Sequence, residues 1–262
     1  MKLGIISDIH EDYISLLKAM EILNSRQVDE IICLGDIVGF SVPFYEYQNT
    51  RNANECIAIV KANCQISVIG NHDLYAIRKT PKKAGDFNFP ENWFELDYDK
   101  RHEISDFQLW LYEENELSAM LNQSSKQYLL SLKESEISNY GGLKIFFTHY
   151  LSPDITGSTK SYITKSSDFE EHIELSKKNN CKYGFIGHAH MDGCLLASRK
   201  KYSLKTFGKF KVKNQLQTIV SPCIARGKHH NGFLIFDTKT FEIEAVSLQS
   251  KWEIIKNMKL IG

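Results

Sequence analysis

The chain has 262 residues, 42% of them hydrophobic, which favours one sizeable domain carrying an insertion over two equal domains. Thirty-two basic and thirty-two acidic residues cancel, which argues against capture of long nucleic acid by bulk electrostatics. No apolar run is long enough to span a bilayer, residues 1–9 lack a secretory core and cleavage-type site, and six scattered cysteines read as reduced thiols, so the expectation is a cytoplasmic protein without a membrane partner.

In chain order, residues 3–6 form a short apolar run that reads as a buried strand. Asp12 then stands where it can cap a helix over 13–23, whose inward stripe is Tyr13, Leu16, Leu17, Met20 and Leu23. A second strand is expected at 30–34, a second helix at 54–62 buried through Ile57, Ile59 and Val60, and a third strand at 66–69. Residues 79–142 read as an inserted helical cap, with a loop at 81–85, aromatics Phe87, Phe89, Trp93, Phe94 and Tyr98 forming its own core, with stacking of one of them on a nucleobase or aryl group as the alternative, and helices over 105–116 and 125–133. Strands at 143–147 and 183–186 follow, and His102 and His172 fall in polar helical stretches read as solvated. The basic stretch 199–213 reads as a solvated strand pair. Residues 217–220, 232–237 and 242–246 read as strands of a second sheet, the last two a hairpin about residues 237–240. Between the first two lies a basic loop from Arg226 to Asn231, read as solvated, with a phosphate clamp by Arg226 as the alternative. Near-continuous apolar strands separated by helices imply parallel pairing, with ligands gathering beyond the carboxyl ends of the strands.

Five fragments lie at those ends: Asp8-Ile9-His10, Gly35-Asp36, Gly70-Asn71-His72-Asp73, His149 and Gly187-His188-Ala189-His190. Together they read as a two-metal site of nitrogen and oxygen donors. Asp8 and His10 alternate on an extended segment and suit one ion, to which His190 returns. Asp36 has two carboxylate oxygens and can bridge both ions, while Asn71, His149 and His188 complete the second. Two dications against two carboxylates and an activated water leave the site at about +1, which draws a phosphate ester. His72 stands outside the ligand set and is the candidate to protonate a leaving oxygen, with Asp73 orienting it. Such a mixed donor set admits manganese, iron, zinc or nickel, with manganese favoured.

This ordered set resembles the calcineurin-like metallophosphoesterase superfamily, whose pattern is Asp-x-His, Gly-Asp, Gly-Asn-His-Asp or -Glu, a lone His, and Gly-His-x-His. Residues 33–40 and 54–56 further resemble its smaller bacterial and archaeal phosphodiesterase-like branch. The resemblance implies an α/β fold, a four-layered α/β/β/α sandwich spanning 1–262 as a single domain. It also implies two divalent metal ions and hydrolysis of phosphate esters, phosphodiesters preferred and nucleotide-like esters included, by water activated between the ions. Alternatives are a phosphomonoesterase or protein phosphatase, or a non-enzymatic scaffold of the same fold like the retromer subunit, which lacks the acid histidine that His72 supplies here. This chain departs from the pattern at Glu11-Asp12, where Gly-Asn is common and where two acids would add negative charge to the rim. It also has Ser221-Pro222-Cys223-Ile224 in place of Asn-Pro-Gly-Ser, and Ala189 where Thr is commoner. The sequence carries no signature of an oligomeric state.

Overall fold

Strand alternation sets the layers. In β1 (Lys2–Ile6), Leu3 and Ile5 enter one apolar cluster while Ile6 enters another, so this strand is buried on both faces. The structure, a computed structural model, describes residues 1–249. After β1 come α1 (Tyr13–Ser25), β2 (Glu30–Cys33), β3 (Phe40–Ser41), α2 (Ala53–Asn63), β4 (Ile66–Ser67) and α3 (Asn71–Ala76). The middle of the chain holds α4 (Tyr98–Ser105), β5 (Glu116–Leu117), α5 (Gln123–Ser131), β6 (Ser135–Tyr140), β7 (Leu143–Thr148) and α6 (Glu170–Lys178). The remainder is strands: β8 (Tyr183–Ile186), β9 (Cys194–Ser198), β10 (Lys201–Lys205), β11 (Gly208–Lys211), β12 (Gln217–Val220), β13 (Gly232–Asp237) and β14 (Glu242–Ser247).

Two six-stranded sheets, in the orders β11-β14-β13-β1-β2-β4 and β10-β9-β12-β8-β7-β6, face each other across the first cluster. That cluster joins Leu3, Ile32, Leu234 and Phe236 of one sheet to Ile145, Phe147, Phe185 and Ile219 of the other. On the outer face of the first sheet, Leu16 and Leu23 of α1, Ile57 and Val60 of α2 and Leu129 of α5 form the second cluster. On the outer face of the second sheet, Phe169 and Ile173 pack on Ile186, Leu195 and Val220. The four-layered α/β/β/α sandwich is therefore the observed architecture.

Several expectations are corrected. The expected strands do not form one parallel sheet: β1 pairs parallel with β2, and β2 with β4, whereas β7 and β8 pair parallel in the other sheet. β13 and β14 belong to the first sheet, because β13 runs antiparallel along the edge of β1 (Leu3 opposite Phe236) and satisfies backbone groups that β2 leaves unpaired. The basic stretch is solvated as expected, yet β10 and β11 do not pair with each other; each edges a different sheet, on β9 and on β14.

Within the insertion the helix expected at 105–116 is absent. α4 instead precedes it, capped by the Asp97 side chain on Lys100 N and ended by the left-handed Asp106 and Phe107 (φ 43° and 59°). The chain then runs extended beside residues 158–160, with Trp110 N donating to Ser158 O at 3.1 Å and Lys160 N to Gln108 O at 2.7 Å. The irregular part stops at β6, an edge strand of the second sheet, so residues 135–140 lie in the sandwich and not in a cap. Phe87, Phe89 and Trp93 meet edge to face at 5.0–6.0 Å, as expected of a core within the insertion, whereas Phe94 packs against Tyr75 and Tyr98 against His102.

His172 is corrected as well. It is fully buried on α6, its Nδ1 accepts from Ser152 N at 3.2 Å, its ring stacks on Phe146, and its Nε2 has no partner among the described residues. Burial pushes it down to about 3.

Candidate metal centre

The site begins where strands end. Beyond β1 the backbone turns left-handed at Asp8, His10 and Glu11 (φ 53°, 47° and 66°), and the same region is adopted by Asp36 (52°), His188 (63°) and His190 (45°). A side chain pays about 1–3 kcal/mol for such a conformation, so a cluster of them marks a place where aim has been favoured over stability. The expectation that Asp8 and His10 alternate on an extended segment is thus corrected. Their turn is held instead by Asp8 N on Gly35 O, His10 N on Asp36 O and Glu11 N on Ile37 O, each 3.0 Å.

Two glycines permit the close approach. A Cβ on Gly70 would strike the Asp36 carboxylate, and one on Gly187 would strike Ser7 Oγ and the Asp8 carboxylate. Asp73 fixes the same region from below. Its carboxylate accepts from Ile37 N, Val38 N and Gly70 N at 2.9, 3.1 and 3.1 Å, so it shapes the Gly-Asp turn and does not orient His72.

The structure brings all seven expected ligand residues together. His190 Nε2 lies 3.1 Å from His10 Nε2 and 3.4 Å from Asp8 Oδ1. His149 Nε2 lies 3.1 Å from Asp36 Oδ2 and 3.2 Å from His188 Nδ1, which is 3.0 Å from Asn71 Oδ1. Asp8, His10 and His190 form one group able to hold an ion, and Asp36, His149 and His188 form another; His10, Asp36 and His72 form a third. Backbone and side-chain contacts aim these donors. His10 Nδ1–H donates to Gly39 O and His149 Nδ1–H to Leu34 O, both at 2.8 Å, leaving each Nε2 lone pair to face the cluster. Asn71 Nδ2 donates to Tyr112 Oη at 2.5 Å, which turns Oδ1 inward, and Asp8 accepts from His188 N at 2.9 Å.

Facing lone pairs and buried carboxylates repel unless a cation or proton lies among them, so the donor chemistry fits divalent ions. Burial opposes charge on Asp8 and Asp36, yet His190 and His149 hold them well below the usual carboxylate range. Burial pushes His10 and His188 down to about 3, leaving neutral rings. At His149 burial is outweighed by the Asp36 and Asp8 carboxylates, which raise it to about 9, and an arriving cation would displace that proton.

His72 sits beside the cluster, its ring 4.8 Å edge-on from that of His10. Its Nδ1–H donates to the Glu116 carboxylate, in a close contact. Burial is outweighed by Glu116 and Asp36, and His72 rises to about 9. Glu116, which takes the place beside His72 expected of Asp73, is not apparent from the sequence because β5 reaches β3 from far along the chain.

Glu11 and Asp12 do not add negative charge to the rim as expected. Glu11 and Asp12 are both buried. Arg51 Nη1 lies 3.0 Å from Glu11, and Arg226 donates Nε and Nη2 to Asp12 at 2.8 and 2.9 Å while stacking over Tyr47. Asp12 also caps α1 by accepting from Ser15 N. Arg226 is therefore committed to Asp12 and Tyr47 and is not a loose cation.

Above the cluster opens a cavity of about 520 Å³ whose wall includes His10, Asp36, Asn71, His72, His188 and His190. A calcineurin-like phosphoesterase superfamily domain matches residues 1–240 of the chain. An uncharacterized protein of Methanocaldococcus jannaschii is 25% identical over 263 residues, which cover 94% of this chain and 87% of that protein. Among solved structures, a metallophosphoesterase from Sphaerobacter thermophilus aligns with a TM-score of 0.61 at 20% identity, covering 96% of this chain and 89% of its own. A hypothetical protein from Pyrococcus horikoshii aligns at 0.57 and 14% identity, covering 99% and 92%. These two likenesses concern the fold.

Proposed function

The chain belongs to the calcineurin-like phosphoesterase superfamily, and on that premise we propose that it is a two-metal phosphoesterase with a preference for phosphodiesters, nucleotide-like esters among them. The observation that carries this reading is the convergence of seven aimed donors beside a histidine that already holds its own carboxylate. Asp8, His10 and His190 would hold one ion, Asn71, His149 and His188 the other, and Asp36 both. When bound, the two ions supply Lewis acidity for the phosphoryl oxygens and for the attacking water. His72 then carries the proton that the leaving oxygen needs. Glu116 holds Nδ1, so Nε2 is the nitrogen left to face substrate, and the carboxylate favours the charged ring.

The donor set contains nitrogen and oxygen, and manganese is the first choice among manganese, iron, zinc and nickel for reconstitution. The insertion works, on this reading, as part of a single domain, since it delivers Glu116 and Tyr112 to the site. All six cysteines are unpaired among the described residues, which suits the cytoplasm, and no helix among those residues is long and apolar enough to cross a membrane. The test compares initial rates on bis-p-nitrophenyl phosphate and p-nitrophenyl phosphate after metal removal and manganese resupply. A faster diester rate supports the reading; a faster monoester rate makes this a phosphomonoesterase. Two bound ions with neither ester turned over would favour the scaffold.

A further inference from the structure

The cavity over the metal centre carries two tiers of aromatic rings. The inner tier is already engaged: Tyr45 lies 5.2 Å from the His10 ring, Tyr112 4.5 Å from His72 and Tyr150 4.4 Å from His188. These rings brace imidazoles and have a face taken. The outer tier differs. Phe44 is 57% exposed and Tyr162 is 65% exposed, and both line the same cavity with Trp110. Among the described residues, the ring contacts of this tier are Tyr162 against the edge of Trp110, at 6.0 Å between centroids, and Phe44 with the Lys228 ammonium 5.6 Å from its centroid.

Large rings left in water at the lip of a concave site are the mark of a surface covered by ligand. Here the cover is planar and polar-edged, not aliphatic, for two reasons. Ser41, Asn115 and Ser161 lie in the cavity wall together with the rings. Ammonium groups also sit over the lip, Lys228 at Phe44 and Lys160 at Trp110 (5.7 Å), which makes it favourable to an anion-bearing aromatic. Phe44 further lines a second cavity of about 480 Å³ that shares Tyr45, Gly227 and Lys228 with the first, so there is room on both sides of it for the two substituents of a diester.

Resting on the phosphoesterase reading of the floor, we infer that the mouth is a nucleobase subsite, in which Phe44 and Tyr162 stack on the base of a nucleotide phosphodiester. Their role is specificity, since neither touches the candidate ligands. Stacking of one base on an aromatic side chain corresponds to about 5- to 150-fold in affinity.

The experiment is isothermal titration of the manganese-supplied protein with adenosine 5′-monophosphate and, separately, with glycerol phosphate. Wild type is compared with Phe44→Ala and Tyr162→Ala, substitutions at exposed positions that leave the fold intact. Adenosine monophosphate should bind at least about tenfold more tightly than glycerol phosphate. Each substitution should weaken the nucleotide at least about fivefold and leave glycerol phosphate unchanged. Equal wild-type affinities, or losses equal for both ligands, would overturn the subsite and leave the phosphoesterase reading standing. Binding of neither phosphate by protein that still hydrolyses bis-p-nitrophenyl phosphate would overturn the subsite alone, and loss of that hydrolysis as well would remove the phosphoesterase reading.

Discussion

His172 links stability to pH in a way that can be worked from its surroundings. Its ring is fully buried against Phe146, Nδ1 is occupied by Ser152 N–H, and Nε2 has no partner among the described residues, so a charged ring would gain nothing for its desolvation. Burial holds the native value at about 3, against about 6.5 in an unfolded chain. Between those values the unfolded state binds the extra proton, so stability is fully present above pH 6.5 and falls as pH drops toward 3. The limiting slope is about 1.4 kcal/mol per pH unit, and from pH 6.5, where the unfolded ring is half protonated, down to pH 4.5 it amounts to about 2.3 kcal/mol from this one ring. His172→Gln removes the titration while keeping an acceptor for Ser152 N. Urea unfolding at pH 6.5 and pH 4.5 should therefore show wild type losing about 2–3 kcal/mol more than the variant, other titrating groups cancelling in the double difference. Parallel losses in the two proteins would refute the account of a neutral, buried imidazole.

Three further predictions concern the site. Glu116→Gln should lower kcat by about 10- to 100-fold on diesters with alkyl leaving groups and little on p-nitrophenyl esters, whose leaving oxygen needs no proton; His72→Ala should show the same pattern more strongly with metal content unchanged. A normal alkyl-ester rate in His72→Ala would remove it as the acid. Gly187→Ala should push Asp8 aside, weakening metal binding about 10- to 100-fold in a chelator competition, and unaltered affinity would contradict the close approach. Asp36→Ala should lose both ions by elemental analysis, whereas retention of one full equivalent would show that Asp36 serves a single ion.

The clustering of the candidate donors was legible because each follows a strand that announces itself by its apolar run, and a strand's end fixes where the next side chain can aim. Asp8, Asp36, Asn71, His149 and His188 needed no knowledge of pairing. What depended on distant partners was hidden. Glu116 reaches His72 across 44 positions, and Arg226 reaches Asp12 across 214, so the neutralised rim could not be seen in Glu11-Asp12. The hairpin of β13 and β14 has an apolar pattern that suits either sheet, and only the free edge of β1 decides between them. The extended run from Gln108 to Tyr112 read as a helix because its apolar spacing fits both periods; the left-handed Asp106 and Phe107 break that period in a way composition does not reveal.

A hydrolytic centre of two ions held by these seven residues is tested most simply by the rate on bis-p-nitrophenyl phosphate as manganese is titrated into metal-stripped protein. Such a centre should give no rate at zero metal, a rise with added ion, and saturation at about two equivalents per chain. A rate that saturates at one equivalent, or that persists without metal, would contradict it.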